Sequence, residues 1–388
     1  MTSGYLRTLF GFGLLAMATS ANAVVHRVFP GDSIQAAIDS ASPGDTILVE
    51  PGTYTEAGNA TYGIRVGIND LRVIGRSSAA GDRVRLLATG TQETGVYAAP
   101  PGCEYRDSEC NSELQGFYIR GFVVEDFPVN GIQTRWVDGF RFINNESSNN
   151  LNNGIYPTLS ANGLVANNVS YGSLDTAMWI AGSENVRVIG NELYGSPTGL
   201  EITVANNVYA AQNDIHDNTV GVGLYHPNAA GNPQLPVMAN WIITDNRIYD
   251  NNLPNPALPG TFQSGLIPGY GVLLLGVSNH QITQNEIEGN DAAGVALLGW
   301  CTGTAFGDPD RGCANDPPQA YPGSSNNLVS GNTLMNNGAS PPPLPLPGVD
   351  LLYFQAEPSA LNCFENNGPK GVSFFSSEPD GQLPSAGC

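Results

Sequence analysis

Lysine is almost missing. Lys370 is the only one, and 15 Lys and Arg stand against 35 Asp and Glu, for a formal net charge of −20. Nucleic acid and anionic membrane surfaces are recognised through clustered Lys and Arg, so this balance argues against both as partners. It also makes a polyanionic sugar harder to hold unless divalent cations screen the repulsion. The plain consequence of such acidity is solubility. Long stretches with apolar positions at 3.6-residue spacing are absent, which excludes helical repeats. The apolar run "LFGFGLLAMA" after Arg7 is too short to span a bilayer, so no membrane insertion is expected. There is no Cys-x-x-Cys and no His-x-x-x-His, and His26, His216, His226 and His280 are scattered, so no metal site is expected. Calcium is the one cofactor left open, through the acidic loops "FGDPDRG" and "YRDSE", whose alternative role is simple solvation.

Glycine is what the chain has in plenty, 47 in 388 residues, which suits short strands and many turns. The length exceeds one ordinary compact core, leaving two domains or one elongated repeat. Residues 1–23 read as an export signal: Arg7, the apolar run, then "SANA" with small residues at Ala21 and Ala23. Cleavage after Ala23 would leave a soluble mature domain of residues 24–388, periplasmic or secreted. The six cysteines fit an oxidising compartment. Their order suggests local pairs, Cys103 with Cys110, Cys301 with Cys313 and Cys363 with Cys388, although spacing does not decide connectivity.

Two series of residues identify the repeat. Asparagines closing an apolar strand recur at Asn145, Asn168, Asn191 and Asn213, at intervals of 23, 23 and 22 residues, and continue more widely at Asn246, Asn285 and Asn332. A small residue followed by apolar, any, apolar occurs eleven times, from "GIRV" at Gly63 through "GLEI" at Gly199 to "GVDL" at Gly348 and "GVSF" at Gly371. Short strands at this period, with turn residues between them, predict a solenoid whose coils pair edge to edge. Alternation then puts Ile155, Met178, Leu200, Val222, Val272 and Val295 inside. The asparagines are expected to form a hydrogen-bonded ladder through the buried turns. Residues 33–56 supply a short amphipathic helix, a Pro-Gly break and a first strand, a plausible cap on the N-terminal end.

Within that cap, "IQAAIDSASPGDTILVEPGTY" resembles the opening segment of right-handed parallel β-helix proteins of the pectin lyase-like superfamily. The span "NGIYPTLSANGLVANNVSYGSLDTAMWIAGSENVRVIGNELYGSPTGLEI" is similar to exported parallel β-helix repeat proteins. The resemblance implies an all-β, single-domain right-handed parallel β-helix of about eleven coils. Because such proteins are often encoded beside a second exported protein, it also implies a candidate protein partner. The superfamily's known catalytic motifs are missing: there is no "DPHD", no "GHG" with "RIK" and no paired-Arg element.

Insertions fall on both edges of one sheet. "PPGCEYRDSEC", "HPNAAGNPQLPVMAN" and "WCTGTAFGDPDRGCANDPPQAYPGSSN" follow the small-apolar strand, while "NLPNPALPGTFQSGLIPGY" and "GASPPPLPLPG" precede it. Loops gathered around a rigid scaffold are where binding sits. The floor between them is the outward column Arg65, Tyr97, Gln133, Tyr156, Trp179, Glu201, Gly223, Leu273, Ala296, Asp350 and Ser373, flanked by Arg135, Thr158, Thr203, Tyr225 and Leu275. Aromatic surface beside Gln, Arg and a carboxylate suits a carbohydrate, so Arg135, Gln133, Tyr156, Trp179 and Tyr225 are candidate polysaccharide-binding residues. Stacking of Tyr156 on Trp179 merely to steady the coil is the alternative. Glu201, Asp175 and His226 are the candidate acid–base groups of a polysaccharide lyase, glycoside hydrolase or epimerase. Strand geometry puts Asp175 roughly 13 Å from Glu201, too far for a two-carboxylate hydrolase. A non-catalytic scaffold docking a protein partner through Leu273, Leu275 and Leu298 is the competing function.

Overall fold

The computed structural model describes residues 23–56, 61–226, 238–307, 323–356, 359–385 and 388. The proposed export signal lies outside them, apart from Ala23. Each coil contributes one strand in turn to three parallel sheets of 12, 10 and 11 strands, and each sheet runs in ascending chain order. One coil shows the pattern: Val137–Ile143 in the twelve-stranded sheet, Glu146–Ser148 in the ten-stranded sheet and Asn153–Thr158 in the eleven-stranded sheet. The eleven expected small-apolar strands are the eleven strands of that last sheet. All six residues expected inside, from Ile155 to Val295, are in the apolar core that fills the solenoid.

Local chemistry explains why the motif repeats. At the corner between the twelve- and ten-stranded sheets the chain needs one left-handed residue, and Asn144, Asn167, Gly190, Gln212, Asp245, Gln284 and Gly331 supply it in successive coils. The next residue is the ladder asparagine. Asn168 donates its backbone N–H and its Nδ2 to Asn191 Oδ1, both at 2.9 Å, and Asn191 repeats this toward Asn213. A second ladder stands five residues on, through Asn218, Asn251, Asn290 and Asn337, with Asn218 donating to Asn251 Oδ1 at 3.0 Å. The motif's small residue is required by the other corner. A Cβ on Gly199 would lie 2.7 Å from Asn218 Nδ2 and from Ile215 Cγ2 inside the coil.

Outside the ten-stranded sheet, Tyr171, Tyr194, His216 and Tyr249 stand in register and stack face to face, their centroids 4.7, 5.2 and 5.0 Å apart. At the N-terminal end, helix Ile34–Asp39 buries Ile34 and Ile38. Ser33 Oγ accepts from Ala36 N, and buried Glu56 accepts from Ile34 N at 2.6 Å, so the first turn's free amides face acceptors. Disulfides Cys103–Cys110 and Cys363–Cys388 are formed. Cys301 is also disulfide-bonded, while its expected partner Cys313 lies outside the described residues. No helix among the described residues is long and apolar enough to cross a membrane.

The last two coils correct the motif reading by two residues. Ala293 pairs with Val349 and Leu351 with Phe374, so Asp350 and Ser373 occupy the small position that was read as Gly348 and Gly371. The outward column therefore ends in Leu352 and Phe375, not in Asp350 and Ser373. Asp350 instead accepts from Ser373 Oγ at 2.9 Å.

Asn191→Ala strips partners from Asn168 N–H, Asn168 Nδ2 and the Val165 carbonyl, all buried. The expected cost is about 3 kcal/mol or more. It would be read as a lower urea midpoint at unchanged slope.

Candidate functional site

The outward column of the eleven-stranded sheet is aligned as expected over its middle. Gln133 pairs with Tyr97 on one side and Tyr156 on the other, and Trp179 pairs with Glu201, which pairs with Gly223. What covers it differs from the expectation of a walled but open floor: two loops fold down over its ends and leave its centre accessible.

At one end, Arg65 donates to the carbonyls of Ala99, Pro100 and Cys103, pulling the Cys103–Cys110 loop onto the sheet. Tyr97 is thereby fully buried and stacks on Tyr62 at 4.5 Å. At the other end, the segment around Gln263–Gly265 closes over Glu201. With strands of the same sheet it forms a second apolar core containing Leu273, Leu275 and Leu298, packed against Phe262, Leu266 and Trp300. These three leucines are only 2–3% exposed. The proposed protein-docking patch is therefore covered by the chain's own loops, because apolar outward strand positions recruit the inserted segments as their partner layer.

Glu201 also departs from its expected exposure. It does face away from the main core, yet it is buried. Thr176 Oγ1 donates to its Oε2 at 2.8 Å, and Gln263 Nε2 to the same oxygen at 2.5 Å. Gln263 is fixed in turn by Thr198 Oγ1, which donates to its Oε1 at 2.8 Å. Tyr225, a candidate binding residue, is buried too. Its ring lies across Gly223, where a Cβ would come within 2.3 Å of Cζ, and its hydroxyl is 3.5 Å from Thr198 Oγ1. The glycine in the column is what lets this ring lie down beside Glu201.

Glu201 reaches Thr176, the residue after Asp175, so its carboxyl points toward the turn that carries the other acid. Burial pushes Glu201 well above the ordinary carboxylate range, and the charge on Asp175 raises it further. Burial pushes Asp175 up to about 6. Burial is the leading cause for both groups, and the protons of such a pair belong to the two carboxyls together. Half-buried, the Asp175 carboxylate accepts no side-chain or backbone hydrogen bond from the described residues.

His226 is not part of this group. Its ring meets Trp300 edge to face at 6.4 Å, Nδ1 is buried without a partner, and burial lowers its pKa. Desolvation behind the Trp300 segment keeps it neutral, and the strand carries it past the carboxyl pair.

The open centre is a cavity of about 490 Å³ lined by Gln133, Arg135 and Tyr156 from the sheet and by Tyr105, Arg106 and Asp107 from the disulfide loop. Gln133 is fully buried; Asn130 donates to its Oε1 at 3.0 Å, and its Nε2 has no partner. Arg135 donates to the Tyr105 carbonyl and lies over the Trp136 ring at 4.3 Å. Tyr156 and Trp179 stack on one another at 4.6 Å and 9°, and Trp179 Nε1 donates to Thr203 Oγ1 at 2.8 Å. Each ring thus covers a face of the other. The stack steadies the coil and leaves less ring face than a sugar platform would use. Sequence reasoning missed Gln263, Thr176 and Thr198. Gln263 sits in a non-periodic insertion that carries no positional signal; the two threonines do fall at equal steps before each small-apolar motif.

Among the described residues, the single grouping of His, Cys and acid atoms at ligand distance is Cys363, Glu365 and Cys388, whose sulfurs are already joined. Asp107 of "YRDSE" accepts from Glu104 N at 2.7 Å, a turn contact. The Asp308 and Asp310 of "FGDPDRG" lie outside the described residues.

Comparison with known proteins agrees with this architecture. A family model described as "Right handed beta helix region" matches residues 130–308. Together with the three parallel sheets this shows the fold of the chain to be a parallel β-helix. Among solved structures, the A-module of Azotobacter vinelandii mannuronan C-5 epimerase AlgE4 is similar, with a TM-score of 0.55 at 14% identity over 89% of this chain and 95% of that one. The AlgE6 A-module of the same organism reaches 0.51 at 15% identity, over 89% and 93%. ORF18 of Geobacillus virus E2 reaches 0.51 at 12% identity, covering 86% of this chain and 57% of that one. At these identities the likeness is one of fold. No curated protein sequence matches the chain.

Asp175 gives a pH test. Its folded pKa lies above the ordinary value, so the folded state holds a proton that the unfolded state has lost. That contribution to stability is complete below about pH 4 and is lost as pH rises through about 6. Asp175→Asn should therefore melt higher than wild type at about pH 8 and equally at about pH 4, read by thermal melts of both proteins across that range.

Proposed function

We propose that this is an exported protein that binds a polysaccharide across the open centre of the eleven-stranded sheet, where the Asp175–Glu201 pair acts on it as acid and base. The observation that carries the reading is Asp175: a half-buried carboxylate without a hydrogen-bond partner among the described residues, raised by burial to about 6, with the buried Glu201 carboxyl held at the adjoining Thr176 and raised as well. A general base works best when its pKa lies near the working pH, and burial supplies that tuning here. In this reading Asp175 takes the proton from the substrate. Glu201, held by Thr176 and Gln263 and raised by burial, is the acid of the pair. Gln133 Nε2, buried and unpaired, offers a donor to a sugar hydroxyl or carboxylate, and the Arg135 guanidinium adds positive charge to the same cavity.

The fold shared with two mannuronan C-5 epimerase A-modules supports a carbohydrate over other substrates, and lyase, epimerase and hydrolase chemistry each employ a general base. The formed disulfides support export into an oxidising compartment.

The test is to incubate the purified mature protein with uronate and neutral polysaccharides, with and without calcium, and to follow both binding and product. Asp175→Asn should lower turnover by about 10²-fold or more while substrate binding persists. Glu201→Gln should move the pH profile of whatever turnover remains. Turnover unchanged in Asp175→Asn would sink the reading.

A further inference from the structure

The exterior of the twelve-stranded sheet carries a sign of charge opposite to that of the chain as a whole. Arg72, Arg141 and Arg187 occupy one outward column, in the register Arg72, Tyr118, Arg141, Leu164, Arg187, Tyr209. Arg120 stands two residues along the strand from Tyr118, beside Ile143. All four arginines are exposed. Five others, Arg27, Arg76, Arg83, Arg85 and Arg106, each pair with a glutamate. The side chains of these four make neither an ion pair nor a hydrogen bond among the described residues, although acids outnumber bases 35 to 15. Two are held against rings, Arg72 over Tyr118 at 4.9 Å and Arg187 over Tyr209 at 5.9 Å. That placement restricts the long side chains without consuming their N–H groups.

The surface is also shaped. A hollow of about 240 Å³ is lined by Arg72, Tyr118 and Arg141, and Gly116 and Gly139 in its wall add no side chain to fill it. Round the corner a second hollow, of about 400 Å³, is lined by Arg76, Arg83 and Arg120.

We propose that this face binds a linear polyanionic polysaccharide bearing carboxylates or sulfates, at a surface separate from the Asp175 site and independent of that reading. The spacing selects for a repeating ligand. Arg72, Arg141 and Arg187 recur on alternate coils, roughly 10 Å apart, comparable to the advance of two pyranose rings. A single exposed ion pair contributes only about 0.2–1 kcal/mol, so a monomer gains little while a polymer gains by engaging several at once. Width selects for a thin chain. Asp138 and Glu184 lie three residues before Arg141 and Arg187 on the same strands, and Asp70 closes the hollow of Arg72. A nucleic-acid duplex, wider than the row, would meet these acids and the surrounding negative field. The Tyr118 and Tyr209 rings between the arginines offer apolar contact for sugar C–H groups.

The experiment measures binding of the whole mature protein to polygalacturonate, dextran sulfate, neutral dextran and duplex DNA at several salt concentrations. Wild type should bind polygalacturonate or dextran sulfate, more weakly as salt rises, and should ignore dextran; which of the two binds tighter separates carboxylate from sulfate recognition. Arg141→Gln/Arg187→Gln should bind at least about tenfold more weakly, a loss of about 1.4 kcal/mol, with an unchanged melting temperature. The charge-matched Arg85→Gln/Arg247→Gln control, on a different sheet, should bind like wild type. The proposal is overturned by a wild type that binds neither polyanion, by equal loss in both double variants, by no loss in the first, or by DNA binding as tight as that of the glycans.

Discussion

A buried amide chain running parallel to the solenoid axis holds every coil over the next. An apolar interior alone tolerates sliding, since one branched side chain can take another's place. The asparagine at each corner cannot slide, because Asn191 accepts from two groups of the coil before it and donates to the coil after it. A shifted coil would leave several buried polar groups unpaired at once, and each would cost about 1–3 kcal/mol. A parallel ladder five residues on doubles the constraint. Once register is enforced this strictly, residues some 23 positions apart become strand neighbours, and every outward position becomes a row along the molecule.

Insertions then decide which rows meet solvent. In the middle of the molecule, from the Cys103–Cys110 loop to the Trp300 segment, the long loops attach at the two corners flanking the eleven-stranded sheet. Where its outward residues are apolar, as at Leu273 and Leu298, loops settle on them as a second layer and form a second core. Where they are polar, at Gln133 and Tyr156, the disulfide loop stands off and a cavity remains beneath it. Glu201 lies under the covering segment, held by Gln263, and burial raises both its pKa and that of Asp175.

The coil was legible because its constraints repeat. Period, small-residue motif, inward column and first ladder all follow from residue type and spacing, and the second ladder was readable as well, since Asn218, Asn251, Asn290 and Asn337 keep the intervals of the first. The final two coils misled because Gly348 and Gly371 mimic the motif, while the backbone places Asp350 and Ser373 there. The cover over Glu201 was not legible. Gln263 lies in a proline- and glycine-rich insertion, and its contact with Thr198 depends on how that loop folds. The direction of the Glu201 side chain was not legible for a related reason: it is set by the Thr176 hydroxyl on the neighbouring strand.

The scarcity of lysine bears on both surfaces. Apart from Lys370, every positively charged side chain in the sequence is an arginine. A lysine is a compact, strongly hydrated charge on a flexible stem, and in a chain this acidic it would find a carboxylate nearby with little geometric demand. A guanidinium is planar, lies on a tyrosine ring and keeps a fork of donors directed elsewhere. Arg72 on Tyr118, Arg187 on Tyr209 and Arg135 on Trp136 share this arrangement. In each the ring sets the cation's position without neutralising it. Across a molecule whose summed field repels anions, that is how positive charge can persist in narrow rows, and it favours anionic ligands that are slender and repetitive enough to follow such a row between the acids on either side.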